Sequence, residues 1–266
     1  MKRKEYELYE DSYDKMGVVS QKTLSKHFHY HAEIILSLKG NFDAVVDGEK
    51  YRVSENTGII VFPYQMHEYI EVDSEKALVL LLNPERNRKL YEYFKNRLPK
   101  SPIITSEILN VEVMQAADNL IKHSKDKWLK MNTEIASIYK ELIFAVILQQ
   151  LEYEPIIPGR IDAMRTVLFW CQDHFTEQVT IPRASKALFI SESQLSHLFS
   201  GRIHVGFREY INSLRVQAAT VMLTETDKPI SEIAFDCGFT SFSTFNRAFR
   251  QSLGLTPREI RKRERS

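Results

Sequence analysis

Cysteine is scarce in this 266-residue chain, and long apolar runs are missing. The two cysteines, Cys171 and Cys237, form neither a CxxC pair nor a metal-type spacing. That excludes a disulfide scaffold, and a reducing cytoplasm suits the thiols best. A membrane helix needs roughly 18 or more apolar residues, and the nearest run, Leu142–Leu151, is too short. The opening Met1-Lys2-Arg3-Lys4-Glu5 leads into acids and tyrosines, so neither a signal peptide nor a membrane partner is expected. A dominant charge of one sign is also lacking, since the net charge is +1. The balance hides an asymmetry. Residues 160–266 carry 15 Lys/Arg against 11 Asp/Glu, or +4, and residues 1–159 carry 21 against 24, or −3. A mildly basic C-terminal half fits an anionic partner, but only motifs can carry that argument.

What is present suits two globular domains. The length exceeds that of one average domain. A hydrophobic content of 43% supplies cores that need no disulfide or metal staple. From about 18 to 82 the chain reads as short strands. Glu33–Leu38, Phe42–Val46 and Ile59–Phe62 are apolar or aromatic runs separated by Lys39-Gly40-Asn41, Asp47-Gly48 and Glu55-Asn56-Thr57-Gly58. Asp47-Gly48 is a hairpin signal, and strands at this spacing without helices between them suggest a sandwich or barrel. Three helices are predicted next, over about 84–98, 107–124 and 132–152. The last places Ile135, Ile138, Leu142, Ala145/Val146 and Gln149 at three-to-four-residue spacing. Pro155 and Pro158 then stop the helix. The expected organisation is an N-terminal domain over 1–153, a linker over 154–159 and an almost wholly helical domain over 160–266.

The C-terminal domain contains a repeat. Ser191-x-x-x-Leu195-x-x-x-Phe199 returns fifty residues later as Ser241-x-x-x-Phe245-x-x-x-Phe249. Each serine stands where its hydroxyl can cap the free amides of a helix start. The two bulky residues after it share one face and pack inward. A shorter helix precedes each copy, Ile181–Leu188 before Phe189-Ile190 and Ile230–Cys237 before Gly238-Phe239. Gly238 suits a sharp turn, and Pro182 and Pro229 suit helix starts. Two short helices joined by a tight turn make a helix-turn-helix. Between the copies, Phe207, Tyr210/Ile211, Leu214, Ala218 and Val221/Met222 form one stripe of a helix over 207–224. Such a helix is about 27 Å long. With the thickness of each unit added, it can set two reading helices roughly one DNA turn, about 34 Å, apart.

On these residues Thr180–Arg261 resembles the DNA-binding domain of the AraC/XylS transcription regulators. Ile233–Arg250, with Gly254, Pro257 and Arg261, follows the family signature, and Leu195, Phe199, Phe207, Tyr210, Arg215 and Ala218 match the first unit and linking helix. Two positions depart from it. Ser185 replaces a small alanine, and His204 replaces the glycine that ends the first reading helix, a role Gly201 could take earlier. The resemblance implies base contacts from Glu192, Ser193, Gln194, Ser196 and His197 in the first unit. In the second it implies Phe242, Ser243, Asn246 and Arg247, with Arg250 and helix-end amides on phosphates. The second unit, with the stronger positive charge, is expected to contribute at least as much affinity as the first. For either copy alone, a capped amphipathic helix is the simpler reading; two copies with the full signature displace it.

In the N-terminal half, His27, His29, His31 and Glu33 would share one face of a strand. A later element, Gly58–His67, brings His67 and Tyr64. The arrangement resembles the two motifs of cupin barrels, and His27, His29, Glu33 and His67 match the metal-ligand positions. Gln65 replaces the second motif's glycine, and Glu71 stands where an asparagine is expected. Three readings stay open. The first is a site for a divalent transition metal. The second is a metal-free pocket in which His27, His29, His31, Glu33, Tyr64 and His67 bind a small effector. The third is a rim of partly exposed histidines.

The fold expected is α+β in two domains, a cupin-like β-barrel with flanking helices and an all-α double helix-turn-helix. The function expected is a cytoplasmic, effector-controlled transcription regulator without catalytic residues. Its partners would be double-stranded DNA, RNA polymerase and a second copy joined through the helices at 84–152. The rivals are a metal-dependent cupin enzyme with a DNA-binding tail and an architectural DNA-binding protein without an effector.

Overall fold

A computed structural model describes residues 15–19, 24–84, 87–123, 129–130, 134–154, 163–203 and 205–264. They fall into two compact units, one within Tyr13–Ile161 and one within Asp162–Ser266. Of the expected linker, residues 155–159 lie outside the described residues, while Glu154 is paired into a short strand.

The first unit is built on an antiparallel eight-stranded sheet. Its elements are β1 (Lys15–Val19), β2 (Leu24–His27), β3 (Ala32–Val46), β4 (Glu49–Val53), β5 (Gly58–Val61), β6 (His67–Leu82), α1 (Arg88–Asn96), β7 (Leu98–Pro99), β8 (Ile103–Ile104), α2 (Val111–His123), β9 (Leu129–Lys130), α3 (Glu134–Gln150) and β10 (Tyr153–Glu154). Two long strands, β3 and β6, pair along their length from Ala32↔Leu82 to Val46↔His67. The outer edge of β3 takes β5 and then β4, and that of β6 takes β2 and β1. Register shifts between Ser37 and Asp43 bend the long pair. Asp47 and Gly48 take positive φ, 50° and 93°, as the tight β3–β4 hairpin requires.

Both faces of this sheet are buried, which explains why its strands read as apolar runs rather than clean alternation. Ile35, Ile59, Val61, Tyr69 and Val79 belong to one core cluster with Phe42, Ala44 and Val46. The alternate residues Ile34, Leu36, Ile60, Phe62 and Leu80 are equally inaccessible. On that second face Phe94 of α1 meets Phe62 edge-on at 5.0 Å and Phe144 of α3 at 6.3 Å.

The second unit holds α4 (Ala163–His174), α5 (Ile181–Leu188), α6 (Glu192–Leu198), α7 (Phe207–Glu225), α8 (Ile230–Asp236), α9 (Phe242–Leu253) and α10 (Pro257–Glu264). One π-helical turn, Phe199–Ile203, follows α6. The predicted linking helix is α7, and its two ends pack differently. Near its start, Phe207 and Tyr210 close on Phe199 at 5.0 and 5.4 Å. Near its end, Val216, Ala219 and Leu223 share a core with Ile233, Phe245 and Phe249. Arg215 lies between and donates to the carbonyls of Phe175 and Glu177, tying α7 to the α4–α5 connection. Gly238 sits at φ +84° with the Thr176 carbonyl where a Cβ would be, so the turn after α8 both needs glycine's conformation and leaves no room for a side chain.

Candidate functional site

The two helices expected to read DNA, α6 and α9, are made alike. Ser191 accepts from the Gln194 amide and Ser241 from the Thr244 amide, so both predicted serine caps form. Leu195 and Phe199, and Phe245 and Phe249, are all but inaccessible. The opposite faces are open. Glu192, Ser193, Gln194, Ser196 and His197 are exposed on α6, as are Phe242, Ser243, Arg247 and Arg250 on α9, while Asn246 is half-buried. Asn246, Arg247 and Arg250 line an open depression with Gln251 and Thr256. This gives α9 two guanidiniums and an amide on one surface, donors suited to guanine, adenine and phosphate.

The first unit is less regular. Gln194 forms a capping box with Ser191, its side-chain carbonyl accepting from the Ser191 amide at 2.9 Å. The Ser191-x-x-Gln194 spacing was the signal for this, and the capping box leaves the amide nitrogen of Gln194 outside the cap. Ser185, where the family has alanine, buries its hydroxyl without a hydrogen-bond partner among the described residues. The helix exits through the π turn over Gly201, and His204 lies outside the described residues. The α5–α6 turn is made by Phe189 at φ 55°, a left-handed conformation for a residue that is 95% exposed.

The sheet gathers a polar cluster inside the first unit. One expectation needs correcting, because residues 27–33 are not one strand. β2 ends at His27 and β3 starts at Ala32, with His29 and His31 in the connection. Convergence has a different cause: His27 and His67 are direct cross-strand partners on β2 and β6, with rings 4.2 Å apart. His29 approaches from the connection, and His27, His29 and His67 each present a ligand atom within 4.8 Å of the others. Glu33, at the start of β3, points its Oε2 at His29 Nε2 (2.9 Å) and His67 Nε2 (3.5 Å).

The proton arrangement in this cluster is constrained. Each ring's Nδ1 lies against a backbone carbonyl two residues away: His27 on Ser25 (2.8 Å), His29 on His31 (3.0 Å) and His67 on Gln65 (2.9 Å). Donation there leaves Nε2 as the lone-pair nitrogen of each neutral ring. Burial opposes the charge of Glu33, yet the His29 and His67 rings beside it hold its carboxyl well below the usual range. Burial, with His67 and His29 beside it, pushes His27 down to about 4. A ring nitrogen lone pair and a carboxylate cannot stay 2.9 Å apart without positive charge between them. A shared proton or a metal ion supplies it. Three imidazole nitrogens and one carboxylate are a donor set for a divalent transition metal, and backbone-anchored Nδ1 atoms are how such ligands are held.

His31 gives the cluster its carbonyl and keeps its ring 6.0 Å from that of His29. Tyr64, at φ 66°, donates its backbone amide to the His29 carbonyl, and its ring lies 5.6 Å from that of Tyr30. The residue overlooked in the sequence is Tyr69, whose buried hydroxyl donates to Glu33 Oε1 at 3.0 Å. It stands two positions after His67, where strand alternation puts it on the same face.

Family models match both units, an AraC-like ligand binding domain over residues 19–122 and a helix-turn-helix domain over 184–263. A probable transcriptional regulator, LumQ of Photobacterium leiognathi, is 24% identical over 238 residues, 89% of this chain and 91% of its own. The transcriptional activator RhaS of Enterobacter sp. is 25% identical, covering 91% and 88%. Among solved structures, ToxT of Vibrio cholerae aligns over 94% of this chain and 98% of its own at 14% identity and a TM-score of 0.41. With a sheet-rich ligand-binding unit followed by two capped reading helices, the chain belongs to the AraC family of DNA-binding transcription regulators.

Proposed function

We propose that the chain reads specific double-stranded DNA through α6 and α9 and controls transcription by RNA polymerase in the cytoplasm. A ligand held by the first unit would set that control, and no catalytic residue is assigned. The supporting observation is the pair of serine-capped helices, each buried along one face and open along the other. Base contacts are assigned to Glu192, Ser193, Gln194, Ser196 and His197 on α6, and to Phe242, Ser243, Asn246 and Arg247 on α9. Arg250 is assigned to phosphate. Coupling through residues 154–159 requires the ligand to bind one arrangement of the protein better than another. Arg247→Ala is expected to weaken operator binding by about 1–3 kcal/mol and relax preference at one base pair. Unchanged affinity and specificity at fixed salt would remove Arg247 from the reading set.

For the ligand site, the arrangement of His27, His29, Glu33 and His67 favours a divalent transition-metal ion. When bound, such an ion supplies the positive charge that the Glu33 carboxylate and three Nε2 lone pairs call for, and can accept a donor atom from an effector. His31 and Tyr64, beside the cluster, are assigned to effector contact. The purified wild-type chain is expected to take up one equivalent of Co²⁺ and to lose that uptake in the His27→Ala/His29→Ala variant. A folded wild-type chain that takes up none would leave the cluster as a hydrogen-bonding pocket for a small molecule.

The helices of the first unit support pairing with a second copy. The stripe Ile135, Ile138 and Leu142 on α3 is exposed, with Ile135 and Ile138 above 60%, while Ile143, Phe144, Ile147 and Leu148 of the same helix fill the core. An apolar seam of this kind is an association surface. Sedimentation at micromolar concentration is expected to give a dimer for the wild type and a monomer for Ile138→Asp. A wild-type monomer would refute the pairing.

A further inference from the structure

Gln65 stands where the cupin-type motif has glycine, and it is buried with both ends of its side-chain amide hydrogen-bonded. Its Oε1 accepts from the Phe62 amide at 2.8 Å, and its Nε2 donates to Asp47 Oδ2 at 2.8 Å. The other Asp47 oxygen accepts from the Met66 amide at 3.0 Å, and the Asp47 amide donates to the Met66 carbonyl at 2.8 Å. The partners fix the amide's orientation, since a backbone N–H needs an acceptor and a carboxylate needs a donor. The connection Phe62–Met66 is thus clamped to the β3–β4 hairpin. The clamped segment carries the atom that orients a histidine of the cluster: the Gln65 carbonyl accepts from His67 Nδ1 at 2.9 Å. One residue earlier, Tyr64 at φ 66° ties the segment to the His29 carbonyl.

We infer that Gln65 and Asp47 are positioning residues for the metal-binding cluster, acting on His67 through the Gln65 carbonyl and on its approach to His29 through the clamped connection. The inference rests on the metal reading of that cluster. Glycine at position 65 could follow the same backbone path but offers no side chain to hold it. In this chain the Gln65 amide replaces conformational ease with three hydrogen-bonded anchors: Phe62, Asp47 and, through Asp47, Met66. Neither residue touches the cluster with its own side chain, so both act as an outer shell. Loss of such a shell typically weakens metal binding about ten- to a hundredfold.

The hydrogen-bond polarity allows a rescue test. Gln65→Glu sets a carboxylate against the Asp47 carboxylate, and Asp47→Asn leaves one side-chain oxygen that cannot accept from both Gln65 and Met66. In the Asp47→Asn/Gln65→Glu double variant every bond has a partner again. The introduced amide at position 47 would donate to the introduced carboxylate at position 65 and accept from the Met66 N–H. That carboxylate's other oxygen would accept from the Phe62 N–H. Co²⁺ affinity and the visible absorption of bound Co²⁺ are measured on the full chain, with the melting temperature of the metal-free protein recorded alongside. Each single variant is expected to bind Co²⁺ about ten- to a hundredfold more weakly with an altered spectrum, and the double variant to recover both. Gln65→Met, which removes the polar amide without adding repulsion, is expected to lose affinity in either background. It keeps the test open if a single charge variant fails to fold. Single variants that bind like the wild type, or a double variant that stays weak, would overturn the positioning role while leaving the metal reading intact. A folded wild-type chain that binds no Co²⁺ overturns both.

Discussion

The second unit depends on one helix being buried against two different partners. α7 is 19 residues long, or about 28 Å. Its first turns close on Phe199 of the first helix-turn-helix, and its last turns share a core with Phe245 and Phe249 of the second. A helix gripped at both ends acts as a ruler. Arg215, from its middle, donates to the carbonyls of Phe175 and Glu177, and Arg261 donates to the Lys228 carbonyl just beyond its end. The spacing of α6 and α9 is therefore set by packed side chains rather than by a flexible connection. The two serine caps add local definition at the N-terminal ends of α6 and α9.

A second constraint governs the sheet-rich unit. An ionised Glu33 is buried beside three histidines whose Nδ1 atoms all lie against backbone carbonyls. Charge of that kind cannot stay uncompensated in a buried site. The unit is therefore poised to take up positive charge, as a proton or a cation. Tyr69 occupies the other Glu33 oxygen and leaves the Oε2 edge facing the histidines. The same feature that makes the cluster costly to leave uncompensated is what the proposed ligand would relieve.

The helical unit was largely legible in the sequence, because its signals are local. Serine caps, the fifty-residue repeat, the Pro182 start and the stripe from Phe207 to Met222 lie within one or two turns of what they specify. The Asp47-Gly48 hairpin was legible for the same reason. The histidine cluster was visible as residue types, but not as geometry. His27 meets His67 only because β2 and β6 pair, forty residues apart, and no local pattern encodes that register. Treating 27–33 as one strand failed because the chain turns between His29 and His31. The α3 stripe illustrates another limit. Periodicity marks a face, but on a helix apolar on both sides it cannot say which face is buried. Here Ile135, Ile138 and Leu142 are the exposed side.

The claim on which the functional account turns is that one chain holds two reading helices at a fixed spacing on one side of the duplex. Hydroxyl-radical and methylation-interference footprints of the wild-type chain on its operator test it most directly. The expected result is two protected major-groove patches per protomer, about 10 base pairs apart on one face. The patch read by α9, with Arg247 and Arg250, is expected to be the more strongly protected. A single patch per protomer, or two on opposite faces of the duplex, would contradict it.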